Sequence, residues 1–191
     1  MEFRRGTALM LQIAHRESHD IDLFIDDPQI LPILNPETLC FDLALESSGY
    51  ETDGATSLKI VFDGVGEIDV ICCSALLPDP SKRTEIRGRI VDLETSAEII
   101  AKKVVHWGSK LQPRDMFDLA AVARALGEKY VRDALAGFPE QAAAALAVAQ
   151  RFDPGLVLAV IADLKVIPGF VDLRESVQAE AIAVLTHWAS S

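Results

Sequence analysis

The chain has 191 residues, half of them hydrophobic and a quarter charged, a globular composition that excludes a disordered or low-complexity protein. Its 18 Lys and Arg against 29 Asp and Glu give a formal charge of −11, which excludes a basic nucleic-acid sleeve or a basic membrane-surface protein, so any nucleic-acid contact has to be local. The three cysteines, Cys40 and the adjacent Cys72 and Cys73, suggest no disulfide framework or zinc spacing, and neither a signal-peptide core nor a run near the ~20 apolar residues of a membrane span occurs. A reducing cytoplasm, with no membrane partner, is the expectation.

In chain order, helix formers fill residues 7–14, and residues 21–25 alternate well enough for a short strand. A helix is predicted over 36–47, with Asn35 as N-cap and Pro36 at its first position. Residues 57–62 and 67–73 are β-rich runs separated by Asp63-Gly64-Val65-Gly66, a hairpin signal. From about residue 93 helices take over: one capped by Thr95 or Ser96 and stopped by Gly108, one beginning after Pro113 and running to Leu126, then 141–151, 155–166 and 173–189. The fold class expected is therefore α/β in the α+β sense, a small mixed-sheet head (1–92) followed by a helical C-terminal part (93–191). Charge divides unevenly too: residues 1–78 hold 4 basic and 14 acidic residues, net −10, whereas residues 79–115 are net +2 and residues 116–191 net −3.

The first block carries the most informative pattern, Gly6-Thr7 followed by Asp20-Ile21-Asp22 and then Asp69 within a β-rich run. On a strand, Asp20 and Asp22 project from one face. Paired carboxylates repel unless a cation lies between them, and hard oxygen ligands suit Mg²⁺, which also takes ligands from substrate phosphates. If the Asp69 strand lies beside the Asp20 strand, a third carboxylate completes a two-metal clamp for displacement at phosphorus. Gly6 and Thr7 at a helix start offer free N–H groups, the helix dipole and a hydroxyl to a triphosphate. The competing reading is a solvated strand edge and a routine N-cap.

A second pattern runs from Glu98 through Lys102 and Lys103 to Lys110, Arg114, Asp115 and Asp118. Lys102 and Lys103 stand about 100° apart on a helix, so one is expected to turn into a cleft and the other to stay in solvent. Lys103, Lys110 and Arg114 could neutralise phosphate charge, and Asp115 and Asp118 share a helix face. The structural alternative is a helix junction with Arg114 and Asp118 in an ion pair.

Together these segments resemble the AbiEii/AbiGii toxin family, a branch of the DNA polymerase β-like nucleotidyltransferases. Residues 5–9 and 15–24, including His15-Arg16-Glu17-Ser18, are similar to its Gly-Gly-Ser/Thr-Ala-Leu, His-Arg-x-Ser and Asp-φ-Asp-φ-Phe pattern; residues 97–103 and 114–119 are similar to its Glu-φ-φ-Ala-x-Lys and Arg-Asp-φ-x-Asp pattern. The resemblance implies metal-dependent transfer of a nucleoside monophosphate from an NTP to a tRNA end or protein side chain, by a toxin encoded with an antitoxin. It assigns Asp20 and Asp22 to metal, Gly6 and Thr7 to the nucleotide phosphates, and Lys103 and Asp118 to the family's late lysine and aspartate. Asp69 as third metal ligand follows from superfamily logic, and Arg114 joins the phosphate-facing cations. Two departures stand out. Arg5 takes the place of the first glycine, and the motif opens at residue 6 where relatives generally carry a preceding helix, as in a shortened start or a reduced branch. They support the alternative of a catalytically reduced nucleotide-binding or partner-binding protein of the same fold.

Overall fold

Strict alternation makes Ser57–Phe62 a strand: Leu58, Ile60 and Phe62 are buried while Ser57, Lys59 and Val61 between them are not. The computed structural model describes residues 2–4, 6–35, 43 and 45–186, with Glu2–Arg4 and Gly6 described by backbone alone. Two units result, one of Met1–Ala8, Ser18–Ala75 and Ser81–Glu94, the other of Leu9–Glu17, Leu76–Pro80 and Thr95–Ser191.

The first unit holds the sheet. Its strands are β1 (Glu2–Arg4), β2 (Ile21–Ile25), β3 (Gly49–Thr52), β4 (Ser57–Phe62), β5 (Gly66–Cys72), β6 (Ser81–Ile86) and β7 (Arg89–Glu94). They lie in the order β3-β4-β5-β2-β1-β7-β6. The sheet is mixed: β2 runs parallel to β5 and β1 parallel to β7, and the remaining neighbours are antiparallel. Leu23 and Ile25 of β2, Leu58, Ile60 and Phe62 of β4 and Val70 of β5 share one face and bury a core with Leu31. Leu31 belongs to α2 (Leu31–Leu34), which follows a 3₁₀ turn at Pro28–Ile30.

The second unit is helical. Helix α1 (Gly6–Ile13) begins in the first unit and continues here; α3 (Ser96–Trp107), α4 (Pro113–Leu126), α5 (Glu128–Leu135), α6 (Pro139–Arg151), α7 (Pro154–Ala162) and α8 (Leu173–Thr186) belong to it entirely. Thr95 caps α3 by accepting the Glu98 N–H at 3.3 Å, and Pro113 opens α4 where a missing N–H costs nothing. Met116 to Ala123 of α4 are all buried, which makes α4 the helix around which this unit packs.

The α+β class, the strands at 21–25 and 57–62 and the helix at 113–126 agree with the sequence reading. Strands β1, β3, β6 and β7 and helices α2 and α5 are additions to it. Of the helix expected over 36–47, residues 36–42 and 44 lie outside the described residues, and 45–47 are not helical. The C-terminal helix is described to Thr186. Among the described residues no single helix is long and apolar enough to cross a membrane.

Candidate functional site

In the first unit, β2 carries Asp22, with Asp20 just before the strand, and period two sets both opposite the core residues Leu23 and Ile25. Asp22 is in register with Asp69 on the adjacent parallel strand β5, so the two carboxylates stand on the same face of neighbouring strands, roughly 4.8 Å apart in the ladder direction. Lys59, in register with Asp69 from the other side, approaches its carboxylate at 3.4 Å and is hydrogen-bonded to Glu67. Burial pushes the Asp69 carboxyl above its ordinary value against the pull of Lys59, and the charges of Glu67 and Asp20 add to the rise. The hydrogen bond to Glu67 in turn raises the Lys59 ammonium, which Asp69 reinforces against burial.

Two contacts fix the approach to this face. The Thr7 hydroxyl, in the first turn of α1, donates to the Asp20 carbonyl, so the turn expected to hold phosphate is tied to the segment expected to hold metal. Gly66 opens β5 at φ 147°, where a Cβ would fall 2.7 Å from the His19 carbonyl oxygen. Only glycine lets the backbone ahead of Asp20 lie so close to the strand bearing Asp69.

In the second unit the centre is Asp118 on α4, fully buried. Its Oδ1 lies 2.9 Å from His15 Nε2 and accepts Arg16 Nε at 2.8 Å; its Oδ2 accepts Arg16 Nη2 at 3.1 Å and lies 3.0 Å from Lys103 Nζ. Lys103 also donates to Asp115 Oδ1 at 2.6 Å, while Asp115 Oδ2 accepts the Gln112 N–H at 3.1 Å and caps α4. The His15 ring stacks on Phe117 at 6.0 Å and meets Phe170 edge-on at 6.4 Å. Residues 15–17 are held in turn by 165–167, through Ile167 N–H to His15 O at 3.0 Å and Glu17 N–H to Lys165 O at 2.9 Å. Burial alone would raise the Asp118 carboxyl, but the charges of Lys103 and Arg16 and the bonds from His15 and Arg16 hold it well below the usual carboxylate range. Burial likewise opposes the charge on Lys103, and Asp118 and Asp115 overcome it, so its ammonium is raised.

The sequence model of one family, described as Nucleotidyl transferase AbiEii toxin, Type IV TA system, matches residues 3–181. The chain belongs to the AbiEii nucleotidyltransferase toxin family. Two solved structures share its fold: a candidate nucleotidyltransferase from Helicobacter pylori, with a TM-score of 0.54 over 100% of this chain and 86% of that one, and JHP933 from Helicobacter pylori, with a TM-score of 0.52 over 98% and 83%. Each is 16% identical to this chain. No curated protein matches it. Membership of a type IV toxin–antitoxin family implies an NTP substrate and a cognate antitoxin.

For this AbiEii-family chain the structure brings Thr7, Asp20, Asp22 and Asp69 together in the sheet unit, and Lys103 and Asp118 together in the helical unit. Arg114 is exposed on the first turn of α4. It does not pair with Asp118, whose oxygens are taken by His15, Arg16 and Lys103. The expectation that either Lys102 or Lys103 stays in solvent is corrected, since both are buried. Lys102 lies 3.3 Å from Glu98, whose two oxygens also accept the Leu76 and Leu77 N–H groups at 2.8 and 2.9 Å, so its charge is compensated inside the unit. His15 and Arg16 carry structural weight that the sequence reading quoted in a pattern without assigning. The signal was their adjacency just past a helix.

For a divalent cation, the donor chemistry fits. Asp22 and Asp69 are hard oxygen donors on one face, with Asp20 contributing to the charge felt at Asp69. Among the described residues no three carboxylate, imidazole or thiol groups are drawn into a ligand cluster, and Asp69 is in contact with Lys59.

Proposed function

We propose that the protein is a metal-dependent nucleotidyltransferase that moves a nucleoside monophosphate from an NTP to an RNA, such as tRNA, or a protein acceptor, as the toxin of a toxin–antitoxin pair in the cytoplasm. The observation that carries this is the register of Asp22 with Asp69 on the face shared with Asp20, tied through Thr7 to the first turn of α1. Residues 1–92 would form the nucleotidyltransferase core and 93–191 a helical subdomain.

Gly6 and Thr7 present the N-terminal N–H groups of α1 to the triphosphate. Asp20, Asp22 and Asp69 would hold Mg²⁺, in a two-metal arrangement. Bound there, the metal would polarise phosphoryl oxygens and offset the charge of the pyrophosphate leaving group. Asp69, its carboxyl raised by burial, is also suited to take the proton of an acceptor hydroxyl. Within the helical unit, Lys103, positioned by Asp118, and Arg114 are the cations suited to face phosphate charge. Calorimetric titration of NTP with Mg²⁺ should show binding to the wild type that Asp20→Ala abolishes; no binding in either contradicts the proposal.

A second reading, a catalytically reduced nucleotide-binding protein, draws on the contact of Lys59 with Asp69, which occupies the third carboxylate with a lysine. It predicts NTP binding without turnover, and Lys59→Ala would not restore transfer.

A further inference from the structure

On a sheet, register decides which side chains stand beside a carboxylate. Asp69 of β5 has Asp22 in register on the β2 side and Lys59 in register on the β4 side. Glu67, two positions before Asp69 on the same strand, shares that face. The row across three adjacent strands therefore reads Lys59, Asp69, Asp22, one cation beside two carboxylates.

Lys59 is engaged in this row. Its ammonium lies 3.4 Å from Asp69 Oδ1 and donates a hydrogen bond to Glu67 Oε2, on the diagonal from its register partner. The two acceptors differ in depth, the Asp69 side chain being 26% exposed and that of Glu67 39%. Carboxylates on adjacent strands repel, and a cation beside them lowers that cost. At Asp69 Lys59 supplies that cation.

The charge of what arrives then decides whether Lys59 opposes or assists it. Lys59 opposes a divalent cation that comes alone, because both are positive and the face is only partly open to solvent. Lys59 attracts a divalent cation carried by a triphosphate, because that pair is net negative. Glu67 lets Lys59 change role without leaving the face, since an ammonium that releases Asp69 keeps its other acceptor.

We propose that Lys59 makes the metal site dependent on nucleotide: its ammonium holds Asp69 while nucleotide is absent, excludes a bare divalent cation, and withdraws to Glu67 when metal and NTP enter together. This rests on the reading of Asp20, Asp22 and Asp69 as the metal-binding face of a nucleotidyltransferase. It differs from a lost active site, in which the same contact would be permanent.

The probe is Mn²⁺ in place of Mg²⁺, with the free ion measured by electron paramagnetic resonance, on wild type, Lys59→Gln, Lys59→Met and Lys59→Arg, each shown to be folded by circular dichroism. Without nucleotide, Lys59→Gln and Lys59→Met should bind Mn²⁺ about tenfold or more tightly than the wild type, and Lys59→Arg, which keeps the charge, as weakly as the wild type. Calorimetry with preformed Mn²⁺–NTP, each of the four NTPs in turn, should invert the order, the wild type binding its NTP complex more tightly than Lys59→Gln. Glu67→Gln should weaken binding of Mn²⁺ alone more in the presence of Lys59 than in Lys59→Gln, which separates an effect routed through Lys59 from a general loss of negative charge. Equal affinity for Mn²⁺ alone in the wild type and both neutral variants, with Mn²⁺–NTP still bound, overturns the proposal and leaves the metal site standing. Tighter binding in Lys59→Arg as well overturns it too, because charge would then not be the cause. No Mn²⁺ bound by any of these proteins, with or without NTP, removes the nucleotidyltransferase reading and the role of Lys59 with it.

Discussion

Asp118, itself closed to solvent, gathers three partners, two of them cationic, so its charge is the condition on which Lys103 stays buried and Arg16 half-buried. Asp118→Asn should destabilise the helical unit by about 3–5 kcal/mol, the usual cost of removing one partner from a buried pair. Chemical denaturation followed by circular dichroism checks it. The pH dependence follows from signs. A carboxyl held below its unfolded value, about 3.9, contributes stability that is whole above that value and is lost as pH falls through the folded one. A raised Lys103 contributes stability that is whole below about 10.4 and is lost as pH rises through its folded value. The contribution of the pair should thus be level from about pH 4 to about pH 10, and Asp118→Asn should flatten the acid limb of the stability profile. At this scale the sheet carboxylates were legible in the sequence, because Asp20, Asp22 and Asp69 alternate with Ile and Leu in short apolar runs. His15 and Arg16 were not, because their meaning depends on Asp118, about a hundred residues away.

Elements succeed or fail by their local signals. Helix α4 was readable to within a residue, since Pro113 marks its start and Gly127 follows its end. Strands β4 and β5 were readable because Asp63-Gly64-Val65-Gly66 separates two alternating runs. Strands β6 and β7 escaped, since their exposed positions mix Lys, Arg, Glu and Ile with little apolar alternation. Helix α5 escaped because only Gly127 parts it from α4. Two element-scale predictions concern backbone. Ala14, one residue past the end of α1, sits at φ 48° and turns the chain so that His15 and Arg16 meet Asp118. Ala14→Gly should stabilise by about 0.5–1 kcal/mol, the relief of a left-handed alanine less the added entropy of the unfolded chain, measured as a higher denaturation midpoint. Gly66→Ala should do the reverse. Its Cβ would fall 2.7 Å from the His19 carbonyl oxygen, costing about 1–3 kcal/mol, by analogy with overpacking, and moving the segment before Asp20 away from β5. Thermal unfolding together with NTP titration checks both effects.

For the whole molecule, the charge of −11 resolves into regions of different use. The −10 of residues 1–78 includes Asp20, Asp22 and Asp69, whereas residues 82–90 invert the sign at the edge of the same sheet. An acidic protein of this kind is kept off nucleic acid in general and admits a polyanion only where cations are left unpaired. Composition announced the first half of that statement. The second needed the ion pairs of eight described cations, which the fold alone reveals. The most direct test of the account is transfer of label from each of the four α-³²P NTPs, with Mg²⁺, into a mixture of cellular RNA and protein. The prediction is labelled RNA or protein from the wild type and none from a folded Asp22→Ala. An absence of transfer from every NTP, or equal transfer by Asp22→Ala, would contradict it.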